Sequence, residues 1–302
     1  MGIDTVRLWL PLQSDEAAHL QGRLSVEREV LDRRTGEVST LGSLGPLSYC
    51  LKPDGLRVTG SLHKWVHGTN ATEAGRKEVR LALEGLSDTV GLDMGQAQVT
   101  RLDIAYNLPV TQPPDSYFDG FGTPSRMTRN QTGTTLYLGN RLRVLVLYDK
   151  AKELAAKGVE LPPVYSLGPM LRAELRYMGR VARQLKIPEL RASHLHHEGH
   201  YTHLVGRWKK AFLSLPTVPR FMLSTEAPLQ GAKDLVERLA ARALAHMTPH
   251  EIEHLLAGLP RKTRSDVKAK LAALGRKPHL TAPDERRAEF DRKVREAAEF
   301  CR

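Results

Sequence analysis

The sequence predicts an α+β fold, an antiparallel sheet with flanking helices followed by a mostly helical C-terminal region, and three observations carry that prediction. Short strand-like runs fill much of the first two-thirds of the chain. Single helical stretches interrupt them, with short turns between most elements, which favours an antiparallel sheet over a doubly wound parallel one. Beyond about Gly206 the apolar spacing turns helical and stays so.

The elements follow in order. Asp4 to Leu12, DTVRLWLPL, places Val6, Leu8 and Leu10 on one face at period two. Leu56 to Val66 reads as a second strand with a glycine break, and Glu78 to Leu92 has helical apolar spacing. Gln98 to Val110 returns to a strand, Thr134 to Tyr148 reads as a hairpin turning at Gly139-Asn140, and Met170 to Met178 is a further strand. The segment 214–231 holds three prolines and no clear period, so it reads as a linker between an α+β domain (1–213) and a helical region (232–302).

Composition narrows the class. A 41% hydrophobic content over 302 residues suffices for a real core. Lys and Arg total 45 against 34 Asp and Glu, a net charge of +11 that favours a polyanionic partner such as nucleic acid. The two cysteines are far apart and lack CxxC spacing, so neither a disulfide framework nor a cysteine zinc site is supported, which suits a reducing cytoplasm. No apolar run approaches the roughly 18 residues that span a bilayer, and the N-terminal stretch alternates where a signal peptide would be continuous.

The strands carry the candidate chemistry. In VTRLDIAYN, Arg101 and Asp103 share a face with Ala105, while Leu102, Ile104 and Tyr106 point the other way. In MLRAELRYM, Arg172, Glu174 and Arg176 lie together, opposite Leu171, Ala173, Leu175 and Tyr177. The plain reading is the wet face of a half-buried sheet. The sharper one is a site, with Asp103 and Glu174 as hard oxygen ligands for Mg²⁺ or Mn²⁺ and Arg101, Arg172 and Arg176 for phosphate oxygens of DNA. Tyr148, at the close of the apolar run RVLVLY, reads from pattern alone either as an amphipathic anchor or as a nucleophile.

Five pieces, MGIDTVRLWLPL, GSLHKWVHGTN, TRLDIAYN, LVLYDKAKEL and LRAELRY, together resemble the replication initiator family of filamentous phages, the gene II and gene X proteins. The resemblance covers residues 1 to about 180. More distantly, TLYLGNR, LYDK and the Arg-x-Glu piece are similar to trans-acting Rep initiators of small rolling-circle plasmids. It implies a nicking-closing enzyme of the bacterial host's cytoplasm that cuts one strand of origin DNA, holds the 5′ phosphate on a tyrosine and later rejoins the strand. Tyr148 takes the place of that nucleophile. Duplex and single-stranded origin DNA, a host helicase and a host polymerase are the implied partners, and a homodimer stays open. A phenol of pKa about 10 needs a cation or metal beside it at neutral pH, which makes Lys150 the candidate activating group and Glu153 a third ligand or base. A hydrolytic metal endonuclease and a non-catalytic DNA-binding regulator are the rival readings.

Other stretches weigh less. SHLHHEGHYTH, with His194, His196, His197, His200 and His203, fails the H-E-x-x-H spacing and reads as a polar loop or helix start. Tyr137 reads as a cross-strand aromatic. His63 and Lys64, beside Trp65, suit backbone contacts to DNA. From Arg261 to Lys277 seven basic residues stand against one acid, Asp266. There Thr248 and Ser265 serve as caps of a helix-turn-helix in which Arg261, Lys262, Arg264 and Lys268 meet duplex DNA.

Overall fold

The computed structural model describes residues 2–73, 75–222 and 228–300. The chain opens with β1 (Gly2–Pro11) and α1 (Ser14–Arg23). A meander of four strands follows: β2 (Arg28–Leu31), β3 (Val38–Leu44), β4 (Leu47–Lys52) and β5 (Gly55–Ser61). The strand expected to run from Leu56 to Val66 stops early. Ser61 caps α2 (Leu62–His67) by accepting a hydrogen bond from the Lys64 amide at 3.3 Å, and Gly68, at φ 71°, closes it in the left-handed conformation that glycine adopts without strain. In α3 (Arg76–Val90) the apolar residues Val79, Ala82, Leu83, Leu86 and Val90 fall on one buried stripe.

β6 (Gln98–Pro109) leads to a hairpin pair of strands, β7 (Thr128–Thr132) and β8 (Thr135–Gly139), and then to β9 (Arg143–Asp149). Asp149 caps α4 (Lys150–Ala156) through the Lys152 amide. After β10 (Met170–Tyr177) come α5 (Val181–Leu185) and α6 (Glu198–Leu213). The strands pair antiparallel throughout one sheet, in the order β2-β3-β4-β5-β1-β6-β10-β9-β8-β7. That places β6 and β10 side by side in its interior, where most residues of both strands are buried.

One face of this pair is apolar. Leu102, Ile104, Leu171, Ala173 and Leu175 pack there, and Trp208 of α6 donates its indole N–H to the Ala173 carbonyl at 3.1 Å. A buried indole N–H needs such a partner, and this one fixes α6 across the sheet.

The segment expected as a linker is an ordered strap over its first part. Gly122 donates to the Pro216 carbonyl at 2.7 Å, Val218 donates to that of Gly120 at 3.1 Å, and β11 (Arg220–Phe221) starts a second small sheet. Residues 223–227, the middle of the expected linker, lie outside the described residues. The helical region comprises α7 (Ala232–Ala245), α8 (Pro249–Ala257) and α9 (Arg261–Leu274), after which β12 (Thr281–Ala282) pairs with β11. Ala241, Leu274 and Leu280 form its own small core with Phe221 and Leu244.

The last helix does not stay with that region. α10 (Glu285–Phe300) turns Phe290, Val294, Ala297 and Ala298 into the main core, with Phe290 edge-on to Phe121 at 4.8 Å. Glu289 accepts from the Thr111 amide and hydroxyl at 3.0 and 2.8 Å, and Arg287 donates to the Leu215 carbonyl at 2.9 Å. The separate helical region expected over 232–302 therefore excludes its final helix, because the apolar stripe of α10 is buried in the sheet's core.

Candidate active site

The registers of β6, β10 and β9 line up the residues singled out on each strand. Asn107, Arg172 and Tyr148 are opposite one another; Ala105, Glu174 and Val146 form the next row; Asp103, Arg176 and Val144 form the third. Opposed residues of antiparallel strands share a face. Tyr148, Glu174 and Asp103 thus stand on one side of the sheet, the side away from Trp208. Tyr137 pairs with Val146 and shares that side.

Each acid is held by an arginine two residues along its own strand, as period-two alternation requires. Arg101 grips Asp103 with two hydrogen bonds, Nε to Oδ1 at 3.0 Å and Nη2 to Oδ2 at 2.6 Å. Arg176 donates from Nη2 to Glu174 Oε2 at 3.0 Å, and its Nε lies 4.0 Å from Asp103 Oδ2. Both carboxylates are buried, whereas Arg101 and Arg176 keep 20% and 28% of their side chains exposed. Burial pushes the Asp103 carboxyl up to about 6, with the nearby Glu174 adding to the effect and Arg101 opposing it. A buried carboxylate such as Asp103, whose charge burial opposes, is the arrangement found where a cation or proton arrives.

Tyr148 is buried at 9% exposure, and its hydroxyl has no hydrogen-bond partner among the described residues. Burial holds the phenol well above its ordinary range; Arg172 pulls it down, while Glu174, Asp4 and Glu153 push it further up. The guanidinium opposite is locked. Arg172 donates from Nη2 to Asp4 Oδ2 at 2.7 Å and from Nη1 to Asn107 Oδ1 at 3.0 Å, and Ser61 donates its hydroxyl to Asp4 Oδ1 at 2.8 Å. Burial weighs against the Asp4 charge, but Arg172, Ser61 and Lys150 outweigh it and hold its carboxyl below the usual range.

Two of the expected roles move. Arg172, expected at phosphates, is 2% exposed and turned to Asp4 and Asn107. Lys150, expected beside the phenol as an activating cation, is fully buried and donates to Glu153 Oε2 at 2.7 Å and Asn70 Oδ1 at 3.2 Å. Burial and then Arg172 lower its pKa. Glu153 also pairs with Lys157, so it serves as counter-ion to two lysines.

Asp103 and Glu174, one row apart, suit a hard cation that keeps waters and takes further oxygens from a phosphate, as Mg²⁺ and Mn²⁺ do. Glu153 does not complete such a set. Among the described residues no group of three or more His, Cys, Asp or Glu is placed to hold a metal.

A polar loop covers the tyrosine end of this face. Tyr165 donates to the Ala71 carbonyl at 2.7 Å, and Asn107 donates to the same carbonyl at 3.2 Å. Ala71, Leu154, Tyr165 and Met170 form a small apolar cluster there. His63, expected at DNA, is turned inward at 2% exposure, bonded to the Thr69 carbonyl and, at 3.1 Å, to the Thr72 hydroxyl. It shapes the 68–72 loop, and burial lowers its pKa. Lys64 is half-buried beside it.

Asp4, Asn107 and Asn70 were not among the sequence-derived site residues. Asn107 had a signal, since it continues the Arg101, Asp103, Ala105 alternation. Asp4 had a weaker one, a single acid in a mostly apolar strand.

Elsewhere the histidine segment begins α6. His194 stacks on His200 at 4.7 Å, His203 bonds the Leu185 carbonyl at 3.0 Å, and neither contact involves the acid pair. Thr248 caps α8 with Glu251 in a reciprocal capping box, as the spacing predicts. Ser265, expected as a cap, sits inside α9 because Pro260 starts that helix. Arg264 and Lys268, expected at duplex DNA, are engaged within the region. Arg264 donates to the Ala257 and Leu259 carbonyls at 2.7 and 3.0 Å and so ties α8 to α9, and Lys268 pairs with Glu253 at 2.7 Å. Arg261 and Lys262 are exposed. Among the described residues no helix is long and apolar enough to cross a membrane.

Comparison with known proteins bears on the family of the chain. No curated protein matches the chain. A rolling circle replication initiator protein from Geobacillus stearothermophilus is a structural neighbour at 12% identity, over 61% of this chain and 76% of that one, with a TM-score of 0.29. The family model described as replication-associated protein G2P, N-terminal, matches residues 51–203, half of the chain and the stretch that holds Asp103, Tyr148 and Glu174. On that match the chain belongs to the G2P replication-associated protein family.

Proposed function

We propose that this chain is a rolling-circle replication initiator that nicks one DNA strand at an origin through Tyr148 and later reseals it. The observation that carries the reading is the register of β9 on β10, which sets Tyr148 on the same side of the sheet as the acid pair. The tyrosine oxygen attacks the scissile phosphorus, the bond from phosphorus to the 3′ oxygen breaks, and the 5′ phosphate stays on Tyr148. The phenol gives up one proton and the leaving 3′ oxygen takes one up. The aryl ester keeps the bond energy, so attack by a 3′ hydroxyl reverses the step without ATP.

Asp103 and Glu174 would hold Mg²⁺ or Mn²⁺, which supplies charge to polarise the phosphate. Arg101 and Arg176, partly exposed at the rim of the pair, meet the phosphates on either side of the cut. Arg261 and Lys262 on α9 supply affinity for duplex DNA. The 3′ hydroxyl left by the cut serves a host polymerase, and a host helicase opens the duplex, in the cytoplasm of the bacterial host.

The test is incubation with Mn²⁺ and single-stranded DNA tiling the replicon that carries the gene, resolved on a denaturing gel. A covalent protein–DNA band, lost in Tyr148→Phe, supports the reading. Cutting without an adduct indicates a hydrolytic endonuclease, and a shift without cutting indicates a regulator.

A further inference from the structure

The sequence offers Lys150 as the cation beside the nucleophile, yet Lys150 is already engaged. Its ammonium is fully buried against Glu153 and Asn70. The cation that faces Tyr148 is Arg172, its direct partner across β9 and β10. Side chains so opposed lie about 5 Å apart at Cβ.

Arg172 is a fixed charge and not a passing one. Its two Nη atoms are held by Asp4 and Asn107, and Asp4 is in turn held by Ser61, so the guanidinium has no freedom to swing into solvent. Its Nε is buried and has no hydrogen-bond partner among the described residues. A buried, unfilled donor on a locked guanidinium is costly to maintain, and it is accounted for when an oxyanion arrives beside it. The surroundings also need it, because burial and the acids Glu174, Asp4 and Glu153 all oppose charge on the Tyr148 oxygen, and Arg172 counters them.

We propose that Arg172 stabilises the charge that develops on the Tyr148 oxygen, both as it attacks the phosphate and as it leaves during resealing, and that Asp4 is the positioning residue that holds Arg172 there. This rests on the reading of Tyr148 as the nucleophile. The phenol proton goes to solvent and the departing 3′ oxygen regains one, so the guanidinium gives up no proton. Its part is electrostatic. The family match begins at residue 51, so Asp4 reaches this site from a strand outside the matched stretch.

The experiment measures single-turnover adduct formation, with Mn²⁺, on a single-stranded DNA that the wild-type chain cuts, for Arg172→Ala, Arg172→Lys, Asp4→Asn and Tyr148→Phe. DNA affinity and far-ultraviolet circular dichroism melts are recorded on each. Arg172→Ala should slow the step by about 100-fold or more, the scale of losing one charge-stabilising donor, with affinity unchanged within about threefold. Added guanidinium chloride at millimolar levels should restore at least about tenfold of it, which a packing role would not allow. Asp4→Asn should slow the step by about tenfold with the same affinity. Should Arg172→Ala fail to fold, Arg172→Lys and Asp4→Asn decide the matter through the same rate-against-affinity split. Folded variants that react at the wild-type rate, or an Arg172→Ala loss that guanidinium leaves untouched, overturn the proposal while Tyr148 stands. An adduct in Tyr148→Phe overturns the underlying reading instead.

Discussion

Tyr148 and Arg172 are register partners on β9 and β10, and they share a face with the buried acids Asp103 and Glu174. Tyr137 lies on that face too, but one strand further out on β8. The inner tyrosine faces a fixed guanidinium. Tyr148→Phe should therefore lower nicking by more than about 1,000-fold, whereas Tyr137→Phe should stay within about threefold, because only the first removes the attacking atom. Parallel single-turnover assays on the two variants check this.

Asp103 gives a pH signature. Its folded-state pKa of about 6 lies above the ordinary carboxylate value of 3.8, so the folded chain binds its proton more tightly than the unfolded one. The stability this lends is fully present below about pH 4 and is lost as pH rises through about 6. Asparagine mimics the protonated form at every pH. In chelator, Asp103→Asn should therefore equal the wild type near pH 4 and exceed it at pH 7 by about 1–3 kcal/mol, discounting for the hold of Arg101. Denaturant melts at the two pH values measure the difference, and nicking should be lost in the same variant.

Phe290 tests where the last helix belongs. Its ring is fully buried against Phe121 and Phe212. Phe290→Ala should destabilise the sheet domain by about 3–5 kcal/mol, in a single unfolding transition. A second transition that alone moves would place α10 in an independent unit.

Much of this was legible in the sequence because strand alternation is a strict constraint. Period two alone places Arg101 with Asp103 and Arg172 with Glu174, and the structure keeps both sets. What alternation does not encode is which strands become neighbours, or what covers a polar face. Arg172 looks identical to Arg101 in such a pattern, yet the loop at Ala71 and the Tyr165 ring close over its end of the sheet. Leu62–His67 misled for another reason: six residues are too few for helical spacing to show, and only the Ser61 and Gly68 caps mark the change. The return of α10 is likewise invisible, since an apolar stripe does not name its partner.

The exposed bases of α9 make a salt prediction. Arg261→Ala and Lys262→Ala should each lower duplex-DNA affinity and reduce the slope of log affinity against log salt by about 1, if each meets one phosphate. Arg264→Ala should instead loosen the α8–α9 turn that its guanidinium bridges. Fluorescence anisotropy titrations across a salt series separate the two behaviours.

The most direct measurement is tandem mass spectrometry of the adduct after nuclease digestion and trypsin. The account predicts a nucleotide remnant joined through its 5′ phosphate to Tyr148, in the tryptic peptide that ends at Lys150. A remnant on Tyr137 or any other residue, or DNA cut with none on the protein, would contradict it.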